Sequence, residues 1–138
     1  MKASRPERWT DSRALILRSR RRHVLIVRRA AETGTESVWE FPGGRIGERE
    51  SPEAGLRRQV RTQLGVELEL VVGQPPFEYS FGTHTVVYRY YICGLLQGQP
   101  RALGCAEVRW VLTGQLREYV FDSPTQQVVQ WLIETGGG

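Results

Sequence analysis

The segment from Trp39 to Val66 constrains this chain more than any other. Trp39-Glu40-Phe41-Pro42-Gly43-Gly44 leads into a stretch that carries the signals of both helix ends. Ser51 is placed as an N-cap, Pro52 fits the first helical position, and Glu53 complements the N-terminal dipole. Leu56, Val60 and Leu64 recur at helical spacing, and Gly65 stands where a C-terminal cap is expected. Ahead of this helix, Gly43 and Gly44 allow the backbone torsions and close approach that a sharp turn beside a helix needs.

Around this segment the chain reads as short strands. Ala14-Leu15-Ile16-Leu17 and Val24-Leu25-Ile26-Val27 flank a basic tip, Ser19-Arg20-Arg21-Arg22, as the arms of a hairpin. After a loop with Gly34 and the helix, Val66 to Val72 alternates as a strand, and Pro75-Pro76 breaks the chain. Phe77 to Gly94 reads as two strands around Gly82-Thr83, and Val108-Arg109-Trp110-Val111 as a further one. Asp122-Ser123-Pro124 precedes a second helix through Val128, Val129, Trp131 and Leu132. Strands mixed with two helices predict an α/β layered domain. The 138 residues fit one compact domain over 1–138, with 1–10 as a poorly ordered arm and 136–138 as a tail.

Composition excludes some classes and leaves others. An apolar fraction of 40% with 25% charged residues is ordinary for a soluble globular protein. No apolar run approaches the ~20 residues that span a bilayer, and the N-terminus lacks a secretory apolar core, so the expectation is a cytoplasmic protein without a membrane partner. Cys93 and Cys105 read as reduced thiols, without zinc-ligand spacing. The net charge of +4 comes from arginine almost alone, Lys2 being the one lysine. Arginine forks suit phosphate, so an anionic partner such as a nucleotide fits; arginine reflecting only a genome rich in guanine and cytosine fits equally well. The basic tip reads as a solvated turn, or alternatively as a phosphate or nucleic-acid contact.

Phe41-Pro42-Gly43-Gly44-Arg45, then Glu50, Arg58, Val60 and Gly65-Val66, resemble the box of the Nudix hydrolase family, G-x5-E-x7-R-E-U-x-E-E-x-G-U with U a bulky aliphatic residue. The likeness covers most of the chain and is closest to the MutT (8-oxo-dGTP diphosphatase-like) branch. Val27-Arg28-Arg29-Ala30-Ala31-Glu32, Tyr79-Ser80-Phe81 before His84, Arg109-Trp110-Val111 and Phe121-Asp122-Ser123-Pro124-Thr125 resemble its segments in order. The resemblance implies a Nudix fold, a mixed β-sheet sandwiched between α-helices. It also implies a nucleotide or nucleoside diphosphate derivative as ligand and Mg2+, or Mn2+, as cofactor if the protein is active.

The departures bear on the chemistry. Where the family carries glutamates, this chain has Gln59, Thr62 and Gln63. These positions stand at i, i+3 and i+4 and share one helix face. Magnesium prefers anionic oxygens, whereas glutamine and threonine supply neutral ones and accept no proton near neutral pH. General-base catalysis is worth roughly 100- to 10,000-fold, and metal-ion stabilisation several kcal/mol more. Losing all three glutamates therefore predicts weak or absent hydrolysis from a degenerate box. Glu50 and Glu107 are the residual candidates for catalysis and metal ligation, each also readable as a structural or solvated carboxylate. Glu48 and Glu53 lie near the box in sequence, and Glu40 reads as structural.

The resemblance assigns Arg58 to holding the box loop, with Glu50 as its natural partner, and Gly65 to closing the box. It assigns Arg29 to the nucleotide, Phe41, Pro42, Gly43 and Gly44 to the pocket, and Thr125 to the position of a base-reading asparagine. Threonine cannot offer both an amide donor and a carbonyl acceptor; Gln126 or Gln127 would have to replace it. Phe77, Tyr79, Phe81, Tyr88, Tyr90 and Tyr91 read first as core and second as a stacking surface. His84 has no evident catalytic partner. Three readings stay open: a nucleotide-binding pseudoenzyme, an active pyrophosphohydrolase with relocated carboxylates, and a nucleic-acid or protein interaction module. The sequence does not specify the oligomeric state.

Overall fold

One long strand, β1 (Glu7–Arg18), organises the molecule. It runs parallel to β7 (His84–Gln97) from Glu7↔His84 to Ile16↔Cys93. Its other edge takes β4 (Gly43–Arg45) antiparallel over Asp11 to Arg13, and its end forms a hairpin with β2 (His23–Arg28). The computed structural model describes residues 7–20, 22–29 and 38–136. Arg21 of the basic tip, Gly34, Ala30-Ala31-Glu32 and Gly137-Gly138 of the tail lie outside the described residues.

The remaining strands complete a mixed eight-stranded sheet. β3 (Trp39–Glu40) and β8 (Glu107–Leu112) pair with the two edges of β2, while β5 (Glu67–Gly73) and β6 (Phe77–Ser80) pair antiparallel with β7. Two helices pack on it: α1 (Pro52–Leu64) and α2 (Ser123–Thr135). A 3-10 turn over Thr113–Glu118, which the sequence does not signal, joins β8 to α2.

The side-chain period of β1 divides the core. Ala14 and Ile16 join Leu25, Val27, Leu56, Val60 and Leu64 on the α1 side. Leu15 joins Ile26, Phe41, Tyr88, Tyr90, Val128, Val129 and Leu132 on the α2 side. Strand residues alternate between sheet faces, so one strand supplies both layers. The sheet thus lies between two helices, as expected for the Nudix fold.

Three local features follow from named residues. Ser51 caps α1 by accepting from the Ala54 N–H at 3.0 Å, and Gly65 closes it in the left-handed conformation. Asp122 caps α2 by accepting from the Thr125 N–H, also at 3.0 Å. Cys93 and Cys105 are free thiols, and burial pushes the Cys93 thiol up to about 12.

The arm expected over 1–10 is corrected for residues 7–10, which belong to β1 and pair with His84 to Val87. Asp11 and Arg13 conceal this strand in the sequence. They point toward the α2 side, in line with Leu15, and are buried as an ion pair where an apolar residue would have shown the alternation. Gly136, assigned to the tail, is instead the left-handed cap of α2.

Candidate functional site

The box loop is fitted against β1 so closely that only glycine serves at its centre. Gly43 has φ +136°, and a Cβ there would stand 2.0 Å from the Ser12 carbonyl oxygen. Gly44 faces α1, where a Cβ would come 3.1 Å from the Gln59 amide nitrogen. The Pro42 carbonyl accepts from the Ala14 N–H at 2.8 Å, which ties the start of the loop to the sheet.

From the helix side the loop is held by carboxamides. Gln63 donates from Nε2 to the Gly43 carbonyl at 2.8 Å, while its Oε1 accepts from the Gly43 N–H at 3.0 Å. Gln59 donates from Nε2 to the Arg45 carbonyl at 2.9 Å. Thr62 is exposed. Behind it, the N–H groups of Leu103 and Gly104 both donate to the Gln63 carbonyl at 3.0 Å, so a loop before β8 satisfies the open end of α1.

A carboxamide can serve both groups of one peptide because it carries a donor and an acceptor; a carboxylate at 63 would set negative charge against the Gly43 carbonyl. This donor set does not fit Mg2+ or Mn2+. The single oxygen of Gln63 is already an acceptor for Gly43, and among the described residues no carboxylate joins Gln59 and Gln63 in bonding this loop. Among the described residues, no group of three or more His, Cys, Asp or Glu side chains gathers to hold a metal ion.

The two residual carboxylates are held by arginines. Glu50 accepts from Arg58 Nη2 at 2.6 Å, from Arg58 Nε at 3.1 Å and from the Gly47 N–H at 2.8 Å. The Arg58 hydrogen bonds, then the Gly47 N–H, hold its carboxyl down at about 2. Arg58 thus clamps the loop before α1, with Glu50 as partner. Glu107 lies between Arg28, at 3.3 Å, and Arg109, against the rings of Trp39 and Tyr119. Burial opposes its ionisation, but the two arginines outweigh that and keep its carboxyl below the usual range.

On the α2 side of the sheet lies a cluster that the sequence reading missed. Arg13 grips Asp11 with Nε at 2.6 Å and Nη2 at 2.9 Å, and its Nη1 donates to the Phe41 carbonyl at 3.0 Å and faces Glu40 at 3.4 Å. Burial works against the Arg13 charge, and the Asp11 and Glu40 carboxylates more than offset it, raising the guanidinium above its ordinary value. Glu40 also meets Arg29 at 3.3 Å, whose side chain remains 65% exposed. Tyr88 and Tyr90 line the same space, and burial first, then Asp11, pushes the Tyr88 hydroxyl up to about 12. The period-2 line Trp9, Asp11, Arg13, Leu15 was the signal that could have found this cluster.

The pocket residues assigned by resemblance lie deep in the fold. Phe41 is fully buried, stacked on Phe121 with centroids 5.9 Å apart and edge-on to Tyr90. Pro42 is buried, and Thr125 is buried with its hydroxyl facing the Tyr90 phenol. Arg29 is exposed, as are Gln126 and Gln127, the substitutes named for Thr125. Phe81 and His84 form a separate exposed stack with Trp9, capped by the Arg45 guanidinium 4.2 Å from the Trp9 ring.

Comparison with known proteins agrees with this architecture. The family model of the NUDIX domain matches residues 8–132. A putative 8-oxo-dGTP diphosphatase 2 of Mycobacterium tuberculosis is 31% identical over 96 residues, covering 69% of this chain and 68% of the relative. The 8-oxo-dGTP diphosphatase of Escherichia coli is 27% identical over 85 residues, covering 62% of this chain and 66% of the relative. Among solved structures, the MutT protein of Methanosarcina mazei superposes with a TM-score of 0.78 over 98% of this chain and 99% of its own, at 16% identity. From the loop of Gly43 and Gly44 to the sandwich that carries it, this chain belongs to the Nudix family, as a MutT-like Nudix domain.

Proposed function

We propose that this protein binds a nucleotide or nucleoside diphosphate derivative and hydrolyses it weakly or not at all. Two supports bear on the two halves of the reading. Kinship to 8-oxo-dGTP diphosphatases favours a nucleotide ligand, with the exposed Arg29 available to its phosphates. The carboxamide clasp carries the second half: Gln63 and Gln59 hold the box loop where an active relative needs carboxylates for the metal. Relocated carboxylates gain no support, because Glu50 and Glu107 already serve arginines.

The test is phosphate or pyrophosphate release from a panel of normal and oxidised nucleoside triphosphates with Mg2+ and with Mn2+. The expected result is no metal-dependent release above background. Turnover near 1 s⁻¹ or faster, about the low end of ordinary enzymes, overturns the reading.

A further inference from the structure

The basic tip between β1 and β2 adjoins a cleft of about 530 Å3. Arg18, Leu95 and Trp110 line it from the end of the sheet, and Gly98, Gln99 and Pro100 from the loop after β7. We propose that this end of the molecule binds single-stranded nucleic acid, with phosphates on the tip arginines and a base stacked in the cleft against Arg18 and Trp110. β2 separates the site from Arg29 by six strand residues, roughly 20 Å, so the inference does not rest on the nucleotide reading above.

Three observations carry it. First, the positive charge here is uncompensated. Segments 12–31, 94–106 and 108–117, which supply the tip, the cleft and the strand beside them, contain no aspartate or glutamate. Arg18, Arg20 and Arg22 are exposed and enter no ion pair among the described residues, and the exposed Arg101 follows Pro100 on the loop side. Cations gathered without counter-charges produce a field that concentrates a polyanion.

Second, the tip is strained. Ser19 and Arg20 have φ of 55° and 56°, left-handed torsions that a Cβ makes costly. Backbone bonds hold this shape: the Arg22 N–H donates to the Ser19 carbonyl at 3.2 Å, and the Thr113 N–H donates to the Arg22 carbonyl at 2.8 Å. Glycine at 20 would relieve the strain, so an arginine there answers to a requirement outside the fold.

Third, the cleft offers a flat cationic surface. The Arg18 guanidinium lies 3.9 Å from the centre of the half-buried Trp110 ring. Bases stack on such aromatic and guanidinium planes, while arginine forks match phosphate oxygens. An acidic peptide would use the charge and leave the stacking surface idle, and a membrane would meet a cleft rather than a flat face.

Fluorescence anisotropy of a labelled thymidine oligonucleotide of about twelve residues, in EDTA and at about 50 to 200 mM salt, tests the inference. We expect binding that weakens as salt rises. Arg20→Gln with Arg22→Gln, at exposed positions outside any described ion pair, should weaken it about tenfold at the low salt and make the log–log salt slope shallower by about 1.4. Arg49→Gln with Arg57→Gln removes the same charge from exposed positions on α1 and the loop before it, and should change affinity less than about threefold. A strand of equal length without bases should bind about tenfold more weakly than the oligonucleotide. Absence of binding at the low salt overturns the inference, as does an equal loss in the two double variants. Equal binding by the baseless strand, or by polyglutamate of matched charge, overturns the nucleic-acid assignment.

Discussion

The two sides of one sheet are held by groups of opposite character. On the α1 side, neutral carboxamides fasten the loop of Gly43 and Gly44. On the α2 side, the buried Asp11 and Glu40 share the half-buried Arg13 in an ion-pair cluster. The contrast separates scaffold from chemistry. Neutral side chains can fix a loop through its backbone alone. A buried charge persists only while its partners persist.

The largest expected effect comes from breaking the charged side. Arg13→Met leaves Asp11 without its cation and Glu40 with Arg29 alone, and should cost about 3–5 kcal/mol in urea denaturation. A loss below about 1 kcal/mol, the scale of an exposed pair, would show that the cluster is not desolvated. Replacing all three together, Asp11→Asn, Arg13→Met and Glu40→Gln, should recover most of that loss.

Next comes the neutral side. Gln63→Glu turns a donor into a negative oxygen beside the Gly43 carbonyl and should cost about 1–3 kcal/mol. A melting temperature that instead rises, and rises further with Mg2+, would mean that the face is a dormant metal site. Asp122→Ala, which removes the cap on the Thr125 N–H, should cost about 1 kcal/mol.

The smallest effect is a pH slope. The Glu50 carboxyl is held at about 2, below its ordinary value of 4.5, so its contribution is complete above about 4.5 and is lost as pH falls through about 2. Glu50→Gln should remove that part of the acid slope in denaturation series, and an unchanged slope would mean that the Arg58 pair is not formed in solution.

Legibility differed between these regions for physical reasons. Helix α1 was readable because its periodicity and both caps are local signals, carried by Ser51, Pro52, Leu56, Val60, Leu64 and Gly65. The pairing of Glu50 with Arg58 was readable from the box pattern. The first half of β1 was not, because Asp11 and Arg13 are polar residues shielded by pairing, and the period-2 line Trp9, Asp11, Arg13, Leu15 was its one local sign. That Gln59, Thr62 and Gln63 are uncharged was plain in the sequence. What Gln59 and Gln63 bond to depends on the approach of a loop 14 to 20 residues away in sequence. Likewise the sequence left Gln126 and Gln127 open as substitutes for a base reader. Helical phase separates them: Gln126 turns back to the Phe121 carbonyl, and Gln127 borders the space beside Tyr90 and Trp131.

The central claim is a nucleotide-binding Nudix domain whose box face holds its own loop rather than a metal ion. Its most direct measurement is the affinity for a non-hydrolysable nucleoside triphosphate analogue in EDTA and again in millimolar Mg2+. The account predicts binding in EDTA with the same affinity when Mg2+ is present. Binding that is absent in EDTA, or that tightens by about tenfold or more with Mg2+, would contradict it.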